Sequence, residues 1–130
     1  MPWVEVFAAF VVCHLVGDYL LQTDWQALNK RGGLGSDPQA RRALVSHVVS
    51  YTLAFVPALI WVADDIGAWA VGAAALIGGP HLVQDDGRLL TIYMLRAKHT
   101  DPRAHPGVAG AADQTFHIVA LFLTALLVGD

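Results

Sequence analysis

The chain has 130 residues, of which 55% are hydrophobic and only 15% are charged, with a formal net charge of −3. Soluble domains carry about 25% charged residues, so the composition argues against a soluble domain and favours an integral membrane protein. The few basic residues form no extended patch, and nucleic-acid binding therefore has no support. The single cysteine, Cys13, excludes an internal disulfide.

Four apolar stretches predict membrane-spanning helices, because each approaches the ~20 residues that cross a bilayer. They cover residues 3–22, 43–63, 68–85 and 108–128. We therefore predict an all-α fold, in which residues 1–130 form one polytopic membrane domain built as a four-helix bundle. The Gly78-Gly79-Pro80 sequence predicts a less regular third helix, and residues 89–94 either extend that helix or form a short interfacial helix after it.

The basic residues indicate the orientation of the bundle. All eight lie between the first and second helices or between the third and fourth: Lys30, Arg31, Arg41, Arg42, Arg88, Arg96, Lys98 and Arg103. The turn between the second and third helices contains Asp64 and Asp65 and no basic residue. Since Lys and Arg are enriched in cytoplasmic loops, both basic loops are predicted inside, and both termini outside.

Ionisable residues within the predicted spans are the strongest functional signal. Such residues are costly in hydrocarbon and usually mark a site in the interior of a bundle. By their positions along the helices, all of them should lie at a similar depth, in the cytoplasmic half: His14, Asp18, His47, His81, Asp85, Asp113 and His117. Six form i,i+4 pairs, and that spacing puts two side chains on one helix face.

A short internal repeat connects the two halves of the chain. The sequence His14-Leu15-Val16-Gly17-Asp18 recurs as His81-Leu82-Val83-Gln84-Asp85. Each copy precedes a basic loop and then a helix that carries another histidine, His47 or His117. Two hairpins of the same orientation indicate a duplicated hairpin with a pseudo-two-fold axis along the membrane normal.

Histidine and carboxylate together are the ligand set of Zn, Mn or Fe(II). Four histidines and three aspartates exceed the three or four protein ligands of one zinc ion, so they suit one or two divalent transition-metal ions. All seven are candidate ligands, and Asp18, Asp85 and Asp113 are also candidate catalytic bases. Alternatively, some of the carboxylates orient the histidines without binding the metal.

Several of these residues also suit simpler structural roles. A His–Asp pair on one helix is often only a polar contact between helices. Asp113 is also suited to cap the start of the fourth helix, and His47 to lie at the membrane interface. Gln22 follows Asp18 by four residues on the same face and is a candidate to donate a hydrogen bond to the ligands or to contact substrate. Lys30 and Arg88 lie at the cytoplasmic mouth of the predicted site. They would suit binding of a phosphate group, or they reflect only the general enrichment of basic residues in cytoplasmic loops.

The chain resembles domain of unknown function 3307, a family of small bacterial membrane proteins. The likeness begins with His14-x-x-Gly17-Asp18-x-x-Leu21-Gln22-Thr23-Asp24-Trp25, followed by Lys30. It continues through His47, His81-x-x-x-Asp85 and Asp113-Gln114-x-x-His117. The resemblance implies a bacterial inner-membrane protein and adds Gln114 to the residues expected to orient ligands or contact substrate. More distantly, the pattern is similar to that of membrane-bound metal-dependent hydrolases.

These observations favour a membrane-embedded metal-dependent hydrolase that acts from the cytoplasmic side. A lipid-linked or phosphorylated substrate would suit a site in a membrane beside basic loops. The alternatives are a metal-ion or proton transporter, which would use the same residues as transient ligands, and a non-catalytic metal-binding membrane subunit. The lipid bilayer is the expected partner, and the sequence leaves open whether the chain forms a homo-oligomer.

Overall fold

The computed structural model describes residues 1–130, and every regular element in it is helical. The prediction of an all-α fold is therefore confirmed. Helix α1 continues directly into a π-helical segment, and a 3₁₀ turn lies between α4 and α5. In chain order the elements are α1 (Trp3–Leu15), the π-helical segment (Val16–Leu21), α2 (Asp24–Asn29), α3 (Pro38–Ala54), α4 (Val56–Ile66), the 3₁₀ turn (Gly67–Trp69), α5 (Ala70–Asp85), α6 (Arg88–Arg96) and α7 (Pro106–Val128).

Three helical stretches, instead of the four predicted, are long and apolar enough to cross a membrane: Trp3–Leu21, Val56–Asp85 and Pro106–Val128. The second is not one straight helix, because the chain reverses at Gly67, where φ is +57°. A straight helix of 30 residues would be about 45 Å long. In the structure, α5 instead lies against α3: Gly78 packs so tightly against Thr52 that a Cβ on the glycine would lie 2.9 Å from Oγ1 of the threonine. Helix α5 therefore folds back along α4 and α3.

The helix bounds differ from the predicted ones mainly in the second helix. It was predicted over 43–63 but begins at Pro38, because Asp37 caps it by accepting a 2.8 Å hydrogen bond from the Gln39 amide. It is interrupted at Phe55, since Pro57 occupies the first turn of α4 and donates no backbone hydrogen bond. The third helix was expected to be less regular at Pro80; α5 is not interrupted there, and it runs from Ala70 to Asp85.

Two short helices follow the halves of the repeat. Helix α2 was not predicted, although its signal is in the sequence. Thr23 and Gln26 form a capping box in which each side chain accepts a hydrogen bond from the other's backbone amide. Helix α6 is separate from α5, because Gly87 between them has φ of +84°. Of the two alternatives for residues 89–94, the separate helix is confirmed, and its position at the interface stays a prediction.

The two basic loops lie at one end of the molecule. Asp86 joins them, because its carboxylate accepts a 2.8 Å hydrogen bond from the Leu34 amide and its carbonyl accepts one of 2.9 Å from the Gly32 amide. At the other end, the Met1 amine lies 3.2 Å from an Asp65 carboxylate oxygen and 2.7 Å from one of Asp130. The predicted segregation of the acidic turn and both chain ends from the basic loops is therefore present in the fold.

A buried apolar cluster fills the middle of the bundle. Helices α1, α3, α4, α5 and α7 all contribute to it, and Phe55 lies in it where α3 gives way to α4. The members are Val6, Phe10, Tyr51, Phe55, Ala58, Val62, Ile77, Leu121 and Ala125. Of these, Tyr51 lies at the boundary with the ionisable residues, because its ring stacks on His81. The core thus separates those residues from the end that carries Met1 and Asp130.

Gly17 allows the closest approach between the first helix and α3. A Cβ at this position would lie 2.6 Å from Cδ2 and 3.3 Å from Cα of Tyr51. We expect Gly17→Ala to destabilise the fold by about 1–3 kcal/mol, the usual cost of overpacking. Thermal unfolding in detergent measures this. Gly79→Ala is the control, because a Cβ there meets nothing within 4 Å; equal losses in both variants would contradict the close-contact explanation.

Candidate metal centre

The helices bring the ionisable residues together in one polar group at the end with the basic loops. Helices α1, α3, α5 and α7 and the π-helical segment all contribute to it. Six of the seven candidates are buried: His14, Asp18, His47, His81, Asp85 and His117. Asp113 lies at the edge, with its side chain 21% exposed. The prediction that separate helices place these residues at one depth is met by the fold.

Four of these side chains converge on one point: Asp18, His47, His81 and Asp85. The Nε2 atoms of His47 and His81 lie 3.0 Å apart. The Nε2 atom of His47 is 3.2 Å from Asp18 Oδ1 and 2.9 Å from Asp85 Oδ2. The corresponding distances from His81 are 3.3 and 3.2 Å. We call these four atoms the four-atom group.

The spacing of the four-atom group fits a metal ion. Tetrahedral ligands 2.0–2.1 Å from a zinc ion would lie about 3.3 Å from one another, close to the distances observed. Hydrogen bonds do not account for the arrangement, because the single Nε2 hydrogen of a histidine cannot serve three acceptors. Moreover, Oδ1 of Asp18 is buried without a hydrogen bond. A cation at the centre would satisfy that oxygen, so the group could hold a divalent metal ion.

Asp85 makes further contacts outside the four-atom group. The ammonium group of Lys30 donates a 2.6 Å hydrogen bond to Oδ2 of Asp85 and one of 2.5 Å to Oε1 of Gln22. The other carboxylate oxygen, Oδ1, lies 3.0 Å from Nε2 of His117. Lys30 and Gln22, both predicted to lie near the ligands, therefore do so.

His117 and Asp113 form the outer edge of the site. The Nδ1–H group of His117 donates to the backbone carbonyl of Asp113 at 2.7 Å, while its Nε2 atom faces Asp85. The Asp113 carboxylate lies 3.9 Å from Nδ1. Together with Asp85, these two residues form a second set that could hold a cation. The alternative role of Asp113 as a helix cap is wrong, because α7 begins at Pro106.

His14 does not belong to the four-atom group, although it was a candidate ligand. Its Nε2 atom lies 2.9 Å from Oε1 of Gln114, and its Nδ1 atom lies 3.0 Å from the Tyr51 hydroxyl. If Nε2 donates to the amide oxygen, Nδ1 accepts from the tyrosine, and both nitrogens are occupied. His14 thus joins α1 to α3 and α7 beside the site, and Gln114 orients it as predicted for a residue next to the ligands.

Tyr51 is a residue of the site that the sequence pattern did not predict. Its ring stacks on His81, with centroids 3.4 Å apart and planes within 2° of parallel. It therefore fixes the orientation of one ring of the four-atom group while its hydroxyl bonds to His14. The sequence contained a signal, because Tyr51 follows His47 by four residues and so lies on the same face of α3.

Arg88 lies outside the polar group, near the mouth where the sequence predicted it. Its Nε atom pairs with Asp86 at 3.2 Å, and its side chain is 58% exposed. Asp86 itself is buried, but its carboxylate bonds to the Leu34 amide and to Arg88 instead of facing the four-atom group. Both residues hold the loops in place near the mouth of the site.

A metal bound at the four-atom group would stabilise the fold, and Asp18 would be required for that effect. We expect saturating Zn or Mn to raise the thermal midpoint of the wild type by several degrees, since a ligand at a hundred times its Kd adds about 2.7 kcal/mol. Asp18→Asn should abolish this shift, because a neutral amide oxygen is a weaker metal ligand than the carboxylate that lies 3.2 and 3.3 Å from Nε2 of His47 and His81. Asp64→Asn, at the opposite end, is the matched control. Absence of any metal-induced shift in the wild type would argue against the site.

Comparison with known proteins agrees with the resemblance seen in the sequence. No curated protein and no solved structure matches the chain significantly. The chain does match the family described as protein of unknown function DUF3307 over residues 6–129, which includes every residue of the polar group. This protein belongs to the DUF3307 family.

Proposed function

We propose that this protein is a membrane-embedded metal-dependent hydrolase of the bacterial inner membrane. The observation that carries the proposal is the four-atom group, in which two imidazoles and two carboxylates converge on one buried point. A divalent Zn, Mn or Fe ion held there would lower the pKa of a bound water to about 7 and polarise the bond to be cleaved. Burial of the group among helices supports a fixed cage of ligands.

We assign three of the four residues as ligands of the ion: Asp18, His47 and His81. Two histidines and one carboxylate are a ligand set of catalytic sites, which keep a further position for water or substrate. Asp85 faces that position, and Lys30 and His117 hold its two oxygens. In this assignment Asp85 accepts the proton of the attacking water, while Tyr51, which is bonded to His14, fixes the orientation of the His81 ring.

The surroundings of Asp85 support an anionic substrate group such as a phosphate ester. Lys30 already contacts Asp85 and reaches the site from the loop after α2. Its ammonium group would pair with a phosphate oxygen next to the metal. Asp113 and His117 lie on the other side of Asp85 and could hold a second ion. A second cation there would share Asp85 with the first, as in two-metal phosphatases.

The apolar core speaks against the rival function of a metal-ion or proton transporter. A transporter needs polar sites with access from both faces of the membrane. Beyond Tyr51, the buried residues toward the Met1 end are apolar, including Phe10, Phe55 and Val62, with Thr124 as an exception. The hydroxyl of Thr124 bonds to the backbone carbonyl of Ala120 in its own helix. No chain of ionisable groups leads away from the site in that direction.

We also propose that the chain crosses the membrane as four helical arms with both basic loops in the cytoplasm. The arms are residues 3–21, 38–66, 70–85 and 106–128. The common placement of the basic loops at one end supports this orientation. The order of elements further supports a duplicated hairpin, because Asp18 and Asp85 are each followed by a short helix, a loop and a long helix that carries a histidine of the polar group.

The orientation can be tested with single cysteines. In a Cys13→Ser background, Ser36→Cys lies in the first basic loop and Asp64→Cys lies at the acidic turn. We expect a membrane-impermeant thiol reagent to label intact cells at position 64 only, and both positions after the membrane is opened. Labelling of position 36 in intact cells would overturn the proposed orientation.

Catalysis and transport make different predictions for the same residues. We expect protein purified without chelator to contain one or two Zn, Mn or Fe ions and to cleave a chromogenic phosphate ester. Asp85→Asn should keep most of the metal and lose at least about a hundredfold in turnover, the usual contribution of a general base. His47→Ala should lose the metal itself. Elemental analysis and single-turnover assays separate the two effects, with His105→Ala, in the loop before α7, as the control.

Transport is measured in sealed proteoliposomes that contain the same preparation. We expect no flux of Zn or Mn, since the apolar core closes the far side of the site. Flux that His47→Ala abolishes would contradict the hydrolase proposal and favour the transporter. Metal content without any hydrolysis or flux would favour the third alternative, a subunit that binds metal only for stability.

A further inference from the structure

We propose that a groove beside the metal centre binds the hydrocarbon tail of a phosphate-bearing lipid from the bilayer. The groove is a cavity of about 320 Å³ between α6, α7 and the end of α5. Its apolar lining consists of Leu89, Leu90, Phe116, Val119, Ala120 and Leu123. We call it the tail groove. The inference of a phosphate head group rests on the proposed function, whereas the inference of an apolar tail rests on the groove alone.

The lining of the tail groove is suited to a hydrocarbon chain. Its volume lies within the range of small-molecule sites, about 300–1,000 Å³. Gln84 is one of two polar members, and its amide is already engaged, donating a 3.1 Å hydrogen bond to the Phe116 carbonyl. The other is Asp113, which lies at one end. A polar ligand would therefore find a charged partner only at that end.

In the proposed membrane topology, the exposed side of the groove faces the bilayer. Leu89, Val119 and Leu123 are 53%, 47% and 54% exposed, and α7 is one of the stretches apolar enough to cross a membrane. A lipid can therefore reach the groove from the bilayer without passing through water. Because access is from the side, we expect a membrane lipid to occupy the groove. A water-soluble substrate would instead approach through the basic loops.

The groove follows one face of α7 away from the site. Asp113, Phe116, Ala120 and Leu123 recur at spacings of three or four residues, which places them on one helix face. From Asp113 to Leu123 this face is about 15 Å long, at 1.5 Å per residue. A tail bound along it would bring its head group to Asp113, next to His117 and Asp85 of the metal centre.

Basic groups near that end suit a phosphate head. A second cavity, of about 600 Å³, is lined by Arg31, Arg103 and Gly110 among others. Gly110 precedes Asp113 by one turn of α7, so the two cavities adjoin the same part of the helix. Arg31 and Arg103 line this cavity together with one carboxylate, Asp101, and would add to the attraction of Lys30 for a phosphate.

The test uses dodecyl phosphate with a diazirine near its terminal carbon, added to the full chain in phosphatidylcholine nanodiscs. Peptide mapping after irradiation should find the label concentrated on Phe116, Val119 and Leu123. Ala120→Phe fills the groove and should reduce this labelling roughly tenfold, the loss expected when two methylenes are no longer buried. Ala8→Phe makes the same change on exposed α1 and should leave the labelling unchanged.

Three outcomes would overturn the proposal. Label spread evenly over lipid-facing residues such as Val12 and Leu20 would indicate ordinary lipid contact. Equal labelling in both phenylalanine variants would exclude the groove. Stronger labelling by the matching dodecyl trimethylammonium probe would contradict a phosphate head.

Measurements on the same variants separate this inference from the proposed function. Ala120→Phe should retain the metal content of the wild type, because it touches none of the ligands. Focused labelling that persists in chelator, in a protein without hydrolytic activity, supports the tail groove while the hydrolase proposal fails. Metal-dependent cleavage of a water-soluble phosphate ester with no focused labelling would support the hydrolase proposal and contradict the tail groove.

Discussion

The carboxylate of Asp85 is the interaction on which the polar interior depends. It comes from the end of α5 and contacts His47 on α3, His117 on α7 and Lys30 in the loop after α2. One side chain thus links three helices and a basic loop. Because an unpaired charge in a membrane bundle is costly, each of these contacts offsets part of that cost and fixes the positions of the elements relative to one another.

Asp18 shows why this arrangement suits a cation. It occupies the position in the first half of the repeat that Asp85 has in the second, yet its Oδ1 atom has no hydrogen bond. Burying a charge without a hydrogen bond is costly, and a cation at the centre of the four-atom group would offset that cost. Asp18 and Asp85 therefore have different contacts, although they occupy equivalent positions in the two copies of the repeat. Both carboxylates face the centre of the four-atom group, but Lys30 and His117 also hold Asp85.

The sequence predicted which residues would meet, because i,i+4 spacing and helix direction determine the face and depth of a side chain. It did not predict which nitrogen or oxygen each would present. His14 shows the difference: it shares the depth and face of a ligand, but Tyr51 and Gln114 occupy its two nitrogens. The position of Tyr51 beside His14 depends on the close contact between Gly17 and Tyr51. Gly17 lies where α1 becomes π-helical, and no periodicity in the sequence indicated this change in helix type.

The proposed site lies where three environments meet. The apolar core closes it toward Tyr51 and Phe55, the basic loops supply Lys30, and the tail groove begins at Asp113. A water-soluble phosphate ester would need only the basic loops. A lateral groove that ends at the edge of the metal centre adds a reason for the site to be inside a membrane. The bond to be cleaved would join a polar head group to a tail that never leaves the bilayer. Binding would then require little desolvation of the tail, and the metal would act at the boundary between tail and head group.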